Sequence, residues 1–237
     1  MNILLNADVG EGLSSDSQLY PFLDQASIAC GGHCGDLQSM RQAVQVCKEH
    51  GICIGAHPAY PDTKNFGRVS MQIESSQLKH SLRQQMNSLD EVCQSQAMVL
   101  RFIKPHGALY NDMMHRFEMF ELIVTEIAAY PLDLALMIAA LPVLGSYQLK
   151  AEELGVPLWR EAFADRLYLD SGQLCPRGEP GAVFSDPQEI VTQASSIINS
   201  RSVTTAANCS LAIAADSLCL HGDNPASVAA IREISGE

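Results

Sequence analysis

The sequence predicts an α/β protein folded as a TIM-like (β/α) barrel, irregular in form and built from seven strands. Short apolar runs alternate with longer amphipathic segments, and polar residues follow most of these runs. The 237 residues, 47% of them hydrophobic, are enough to bury a large core. No linker, repeat or low-complexity tract interrupts the pattern, so we expect one barrel domain over residues 1–237.

Seven apolar runs rich in Ile, Leu and Val are typical of buried strands, and they lie at residues 3–6, 26–29, 52–56, 99–104, 134–138, 158–162 and 217–220. Segments with helical periodicity lie between them at residues 36–50, 75–95, 117–129 and 187–198. The first helix begins with Asp36, a residue type that caps helices, and it is followed by Gly51.

Polar residues follow six of the seven predicted strands, and only the fifth strand leads into an apolar segment, at residues 141–144. In an open doubly wound sheet, ligands gather only where the strand order reverses. In a closed barrel every strand end opens on the same mouth. The pattern therefore favours a barrel, and seven strands instead of eight indicate a variant for which incomplete closure is one possible form.

Composition excludes several classes of partner. The formal net charge of -12 repels phosphate backbones, so we expect no nucleic-acid partner. The longest apolar stretch, residues 134–144, is too short to span a bilayer, and the start of the chain has no basic segment typical of a secretion signal. We expect a cytoplasmic protein without a membrane partner, whose eight cysteines are mostly buried, reduced thiols.

A pair of carboxylates, Asp8 and Glu11, lies in a predicted glycine-containing turn after the first strand. Such pairs act as metal ligands, or as an acid and a base whose pKa values differ. Turn formation and helix capping are the alternative interpretation of the same residues.

Four of the seven histidines, His33, His57, His106 and His221, lie at or just beyond a predicted strand end. One such histidine would most often be structural, but four in equivalent positions indicate a functional site. They could bind a divalent metal ion with Asp8, or transfer protons to a substrate. No local pattern of metal-binding histidines separates these two possibilities.

Basic residues near strand ends are candidates for anion binding. Lys104 ends the fourth strand and could hold a carboxylate or phosphate, or stabilise negative charge, with a surface lysine as the alternative interpretation. Arg68, Arg166 and Arg177 could form bidentate contacts with an anion. For Asp165 and Arg166, a structural ion pair at the rim is an equally good interpretation. The chain has no phosphate-binding loop and no dinucleotide-binding turn, so any ATP would need an unusual site or a contribution from another chain.

Seven ordered motifs together resemble the LamB/YcsF family, whose members are described as the A subunit of the prokaryotic 5-oxoprolinase. They are NADVGEG at 6–12, IACGGHCGD at 28–36, GAHPAYPD at 55–62, FGR at 66–68, KPHGALYN at 104–111, FADR at 163–166 and HGDNP at 221–225. Ser27 and Val69 depart from the residues that are common in the family, as does the lack of an Asp just before Leu5.

The resemblance implies a TIM-like barrel related to the glycoside hydrolase/deacetylase type. It also implies ATP-dependent hydrolysis of 5-oxo-L-proline to L-glutamate, in a complex with subunits B and C. A five-membered lactam is a stable amide, and phosphorylation of its oxygen would make it a better electrophile.

The motifs and the strand-end chemistry together give three sets of candidate residues. The catalytic candidates are Asp8, Glu11, His33, Lys104 and His106. The candidates for substrate binding are Asn6, His57, Tyr60, Arg68, Tyr110, Asn111, Asp165, Arg166 and Arg177. Asp8, His57, His106 and His221 are the candidate ligands of a divalent metal ion.

In the expected mechanism, Asp8 or Glu11, with His33 or His106, activates a water molecule. Lys104 stabilises the lactam oxygen or its phosphate, and an arginine binds the substrate carboxylate. Two other functions remain open: a stand-alone metal-dependent amide hydrolase or deacetylase that needs no ATP, and a subunit that binds a small carboxylate without turnover of its own.

Overall fold

Seven parallel strands form a closed barrel in the computed structural model, which describes residues 3–236. The barrel strands are β1 (Leu4–Val9), β2 (Gln25–Ala29), β3 (Cys53–His57), β4 (Leu100–Ile103), β5 (Ala135–Ala139), β6 (Leu158–Phe163) and β9 (Ser217–Cys219). A separate two-stranded antiparallel sheet contains β7 (Ser202–Thr204) and β8 (Ser210–Ala212). The predicted TIM-like barrel with seven strands is confirmed.

Strand β9 closes the barrel. It pairs in parallel with β1, where Asn6 is opposite Cys219, and with β6, where Phe163 is opposite Cys219. The incomplete closure that seven strands suggested is therefore not observed. All seven strands run in the same direction, so their carboxyl ends meet at one mouth.

Helices cover the outside of the barrel, in the order α1 (Asp16–Leu19), α2 (Leu37–His50), α3 (Ser75–Ser95), α4 (Gly107–His115), α5 (Phe117–Ala128), α6 (Ser146–Leu154), α7 (Pro187–Ser195) and α8 (Pro225–Ser235). The four predicted helices correspond to α2, α3, α5 and α7. Helix α2 begins at the predicted cap, because the Asp36 side chain accepts a hydrogen bond from the backbone N–H of Ser39. It ends at Gly51, whose left-handed backbone conformation stops the helix.

Two strand boundaries differ from the prediction in a way that matters for the site. Strand β1 continues to Val9, so Asp8 lies within the strand and only Glu11 lies in the glycine-containing turn that follows. Strand β6 continues to Phe163. Both strands run further toward the mouth because parallel partners continue beside them, and sequence periodicity does not register that pairing.

Apolar side chains fill one part of the barrel. Phe102, Ala135 and Met137 form a buried cluster with Cys53 and Trp159, separate from the main core. These residues come from four neighbouring strands, as expected for side chains that point into a barrel. Gly55 makes room for them, because a Cβ atom there would lie 2.2 Å from the ring of Phe102.

The eight cysteines are free thiols, as predicted. Five are buried, and Cys209 is exposed. None of the helices between residues 3 and 236 combines the length and apolarity needed to cross a bilayer.

Candidate functional site

Lys104 follows β4 directly, and its ammonium group lies at the centre of a buried polar cluster. Its Nζ atom is 2.9 Å from Asp8 Oδ1 and 2.9 Å from Glu161 Oε2. It also donates to Asn6 Oδ1 and Cys219 Sγ, each at 3.3 Å. Because four polar atoms already surround the ammonium, the structure gives Lys104 a role in fixing two carboxylates, in addition to the predicted contact with substrate.

The buried polar cluster around Lys104 extends further through Asn6, which contacts its ammonium group. Asn6 donates to Ser217 Oγ at 2.6 Å, and Ser217 donates to Gln25 Oε1 at 2.7 Å. All three side chains are buried. Asn6 therefore helps to position Lys104, and the buried Asn6 side chain is not exposed to a substrate.

Glu161 is a residue of the site that the sequence analysis did not select. Its side chain is completely buried on β6 and forms the ion pair with Lys104. Burial raises the pKa of Glu161, although the charge of Lys104 opposes that shift. A charged residue at an alternate position of a predicted barrel strand, between Trp159 and Phe163, is the signal that could have revealed it.

The second part of the site is a histidine cluster, defined here as His33, His57 and His106 with the carboxylate of Glu11. His57 Nε2 lies 2.9 Å from His106 Nδ1. Glu11 Oε1 lies 2.8 Å from His33 Nε2, 3.4 Å from His106 Nδ1 and 3.9 Å from His57 Nε2. These four residues, distant from one another in sequence, meet because the strands that precede them end at the same mouth.

Asp8 connects the two parts of the site. One carboxylate oxygen contacts Lys104, and the other lies 3.4 Å from His57 Nε2. The predicted convergence of Asp8, His57 and His106 is therefore observed.

The two predicted carboxylates have opposite electrostatic environments. Burial alone would raise the pKa of Asp8, but the charges of His57, Lys104 and His221 lower it below its usual range. Burial and the charge of Asp8 raise the pKa of Glu11 to about 7. Burial also lowers the pKa of His33 and of His106 to about 4. The carboxylates are therefore chemically distinct, as the paired arrangement predicted.

His221 lies outside the histidine cluster. Its Nδ1 atom is 2.8 Å from Asp165 Oδ1, and it groups with Asp8 and Cys219 as potential ligands. The predicted metal set of Asp8, His57, His106 and His221 is thus divided between two groups, and Glu11 and His33 join the first of them.

Two predicted substrate-binding residues, Tyr110 and Asn111, line a pocket next to Glu161. Other walls of this pocket come from Phe163 and Tyr168. Burial and the nearby carboxylate of Glu161 raise the pKa of Tyr110 well above its usual value, so its hydroxyl stays protonated. The pocket offers aromatic surface beside a buried acid.

Two predicted arginines meet at the rim. Arg68 Nη2 is 3.0 Å from Asp223 Oδ2, and Arg177 Nη1 is 3.5 Å from the same oxygen. Two guanidinium groups share one carboxylate, which leaves one positive charge in excess at this position. Both arginine side chains are partly exposed, so an incoming anion can contact them.

Two other predicted residues have structural partners. Arg166 is buried and donates to the carbonyl oxygens of Cys175 and Ala182. Burial alone would raise the pKa of Asp165, but its contacts with His221, Asn224 and Ser227 lower the pKa to about 2. Within residues 3–236 no ion pair joins Asp165 to Arg166, because the loop carbonyls take up the guanidinium group.

Tyr60 is also held by a structural partner. Its ring is buried, and its hydroxyl donates to Asp112 Oδ2 at 2.6 Å. Asp112 accepts a second hydrogen bond from Ser70 at 2.9 Å. Tyr60 therefore anchors the segment after β3 to helix α4, and this contact does not bring its hydroxyl to Lys104 or to the histidine cluster.

Comparison with known proteins gives a consistent result. The model of the LamB/YcsF family matches residues 3–237. The chain is 44% identical to the second A subunit of 5-oxoprolinase of Pseudomonas putida, across 98% of this chain and 92% of that protein. It is 43% identical to the third A subunit of 5-oxoprolinase of Pseudomonas aeruginosa, across 98% and 94%.

A solved structure shows the same architecture. The lactam utilization protein from Thermus thermophilus superposes with a TM-score of 0.89 at 32% sequence identity. The match covers 99% of this chain and 96% of that structure. The similarity therefore includes the whole barrel and the mouth where the candidate site lies.

Proposed function

The chain belongs to the LamB/YcsF family, and we propose that it acts in 5-oxoprolinase as the A subunit, in the ATP-dependent ring opening of 5-oxo-L-proline to L-glutamate. The observation that carries the proposal is its similarity, along almost its entire length, to proteins named as A subunits of 5-oxoprolinase. The name of the Thermus thermophilus protein, which refers to lactam utilization, supports the same substrate class.

Asp8 is the residue that we assign to water activation. Only one of its oxygens contacts Lys104, while the other faces His57. Hydrolysis of a lactam requires a base to remove a proton from the attacking water. We assign that role to the Asp8 oxygen that does not contact Lys104.

Lys104 and Glu161 support this arrangement. The buried ammonium holds the Asp8 carboxylate at 2.9 Å, and Glu161 holds the ammonium through a second contact of 2.9 Å. Lys104 is thus a positioning residue for Asp8, and its positive charge also stabilises negative charge that develops on a nearby substrate oxygen.

The pocket beside Glu161 is where we place the lactam ring. The ring is small, flat and largely apolar on its faces, and Tyr110, Phe163 and Tyr168 provide aromatic walls for it. The substrate also carries a carboxylate, and the excess positive charge of Arg68 and Arg177 at the rim can bind it.

The inside of the mouth does not fit the phosphates of ATP. Asp8 and Glu161 share the single ammonium of Lys104, and the carboxylate of Glu11 lies in the histidine cluster next to them, so the net charge would repel a triphosphate. We therefore assign no phosphoryl-transfer step to these residues. The proposal is that the nucleotide is bound largely by partner subunits B and C, with the rim arginines as the cationic groups that this chain can contribute.

The experiment combines the purified chain with candidate B and C subunits and measures release of glutamate and phosphate from 5-oxo-L-proline and ATP. Each component is omitted in turn. We expect both products only when every component is present. If the complete mixture releases no glutamate while each component is folded, the proposal is wrong.

A second function is favoured by the histidine cluster, whose four residues could hold a metal ion. This is a stand-alone metal-dependent amide hydrolase or deacetylase. The same assay separates the two functions, because this second one predicts amide hydrolysis by the chain alone, without ATP and with loss of activity on addition of a chelator.

A further inference from the structure

Two histidines of the candidate site have a hydrogen-bonding pattern that neutral rings cannot satisfy. His57 Nδ1 lies 2.7 Å from the carbonyl oxygen of Lys104, and His106 Nε2 lies 3.0 Å from the carbonyl oxygen of Phe66. A carbonyl oxygen only accepts hydrogen bonds, so each of these nitrogens carries the proton of its ring. The other nitrogen of each neutral ring then has a bare lone pair.

Those two bare nitrogens face each other. His57 Nε2 and His106 Nδ1 are 2.9 Å apart, a distance at which two lone pairs repel unless a cation lies between or beside them. Backbone carbonyls that fix the tautomer of a histidine in this way are the usual outer contacts of metal-binding imidazoles. Either a trapped proton or a metal ion can supply the missing positive charge.

The carboxylate of Glu11 lies near both of these nitrogens. Glu11 Oε1 is 3.4 Å from His106 Nδ1 and 3.9 Å from His57 Nε2. Asp8 Oδ2 is 3.4 Å from His57 Nε2, but as a potential ligand Asp8 groups with Cys219 and His221. Ligands about 2.0–2.1 Å from a tetrahedral ion are about 3.3 Å from one another. The distances among His57 Nε2, His106 Nδ1 and Glu11 Oε1 are 2.9, 3.4 and 3.9 Å, and they are spread around that value.

The charge of the site also matches a divalent ion. Asp8, Glu11 and Glu161 supply three negative charges when ionised, and Lys104 supplies one positive charge. The remaining two negative charges equal the charge of one divalent cation. A single trapped proton would neutralise only half of them.

His33 has a different place in this arrangement. Its ring is stacked on that of His106, with the centroids 3.6 Å apart and the planes 3° from parallel. An imidazole binds a metal ion in the plane of its ring, so an ion in the plane of His106 lies outside the plane of His33. His33 instead contacts Glu11 at 2.8 Å and orients that carboxylate.

We propose that His57, His106 and Glu11 bind one divalent transition-metal ion of the Zn²⁺ class and leave its fourth position open, with His33 as a positioning residue for Glu11. Two imidazole nitrogens favour Zn²⁺, Co²⁺ or a similar ion over Mg²⁺ and Ca²⁺, which prefer oxygen ligands alone. The proposal does not depend on the 5-oxoprolinase assignment, since metal binding can be measured in the isolated chain.

The other group of potential ligands is less suited to an ion. His221 directs Nδ1 to Asp165, and Cys219 accepts a hydrogen bond from Lys104. Burial raises the pKa of the Cys219 thiol well above its usual value, so it does not readily become the thiolate that metals bind.

The test uses the full chain, stripped of metal with a chelator and then titrated with Co²⁺ and with Zn²⁺. We expect uptake of one equivalent by elemental analysis, visible absorption bands typical of four-coordinate Co²⁺, and a higher melting temperature on addition of Zn²⁺. A large excess of Mg²⁺ should not compete. These readouts do not require activity.

Variants locate the ion. His106→Gln and Glu11→Gln should weaken binding by about 100-fold or more, whereas His33→Gln should weaken it by about 10- to 100-fold, as expected for an orienting partner. His50→Gln, at an exposed position at the end of α2, is the matched control and should bind like the unaltered chain. Circular dichroism checks that each variant is folded.

The proposal is wrong if the stripped, folded chain takes up no stoichiometric ion, a result that would favour a trapped proton. It is also wrong if folded His106→Gln binds as tightly as the unaltered chain. If any variant does not fold, the measurements on the unaltered chain decide the question without it.

Discussion

Glu161 Oε2 lies 2.9 Å from Nζ of Lys104 inside the barrel, where the two side chains are 0% and 4% exposed. The same ammonium is 2.9 Å from Asp8. The group contains two carboxylates but only one cation. The carboxylates raise the pKa of Lys104, and burial raises the pKa of Glu161. The stability of the barrel interior therefore depends on the one positive charge.

Replacement of Lys104 by Met should destabilise the fold by about 3–5 kcal/mol, because it leaves two carboxylates without their buried cation. The double variant Lys104→Met/Glu161→Gln should recover part of this loss, since it removes one of the uncompensated charges. Urea denaturation of the unaltered chain, both single variants and the double variant measures the coupling.

Lys150 provides a matched control for this prediction. It pairs with Glu121 and Glu153 on the surface, where ion pairs contribute about 0–1 kcal/mol. Lys150→Met should therefore change stability by no more than that amount. Equal effects of Lys104→Met and Lys150→Met would show that the buried group is not important for stability.

Asp8→Asn should lower turnover by at least about 100-fold in the reconstituted enzyme, because the amide cannot accept the proton of the attacking water. The change is nearly isosteric, so we expect the variant to fold and to bind substrate. Glutamate release is the measurement, with kcat separated from KM.

Asp133→Asn is the control for Asp8→Asn, because Asp133 is exposed between α5 and β5. Its turnover should match that of the unaltered chain. Normal turnover of the Asp8 variant would exclude Asp8 as the base, and would favour a subunit that only binds the carboxylate substrate.

The sequence was sufficient to predict where the site forms, but not which atoms meet within it. Polar residues after successive strands indicated a barrel mouth, and the observed cluster of Asp8, His57 and His106 confirms that inference. The contact between Lys104 and Asp8 depends on the register of strands that are distant in sequence. No local pattern specifies that register.

Other residues were missed or placed differently for related reasons. Glu161 lies in an apolar run that predicted only a strand, and its direction into the barrel follows from pairing with β5 and β9. Arg166 contacts carbonyl groups of a long loop between β6 and α7, a segment without a regular apolar pattern. Short helices such as α4 and α6 lack the extended periodicity that reveals α3.

Asp16, which is not part of the histidine cluster, should make the stability of the fold depend on pH. Its Oδ2 atom accepts the backbone N–H of Gly10 at 2.8 Å, and burial raises its pKa to about 6. A pKa that is higher in the folded than in the unfolded chain means that protonation favours folding. This stabilisation is complete below the ordinary pKa of 3.8 and is lost as the pH rises through about 6.

Asp16→Asn should therefore gain stability relative to the unaltered chain between about pH 4 and about pH 8, by up to about 2 kcal/mol after allowance for partial exposure. Urea denaturation at both pH values measures the difference. Asp36→Asn is the opposite control, because hydrogen bonds at the start of α2 lower the pKa of Asp36. A pH-independent difference for Asp16→Asn would contradict the prediction.

Alanine should be poorly tolerated at Gly107, because both the backbone conformation and a close neighbouring atom disfavour a side chain there. Its φ of +54° disfavours any side chain, and a Cβ atom would lie 2.7 Å from the carbonyl oxygen of Gly67. Gly155 has a φ of +71° but no atom within 4 Å of the added Cβ, so Gly155→Ala isolates the conformational cost, about 1–2 kcal/mol. Gly107→Ala should lose clearly more stability in urea denaturation.

Gly107→Ala should also weaken metal binding, because the segment that the new Cβ atom displaces carries the Phe66 carbonyl that orients His106. Equal losses for the two variants would show that the approach of Gly67 does not constrain Gly107.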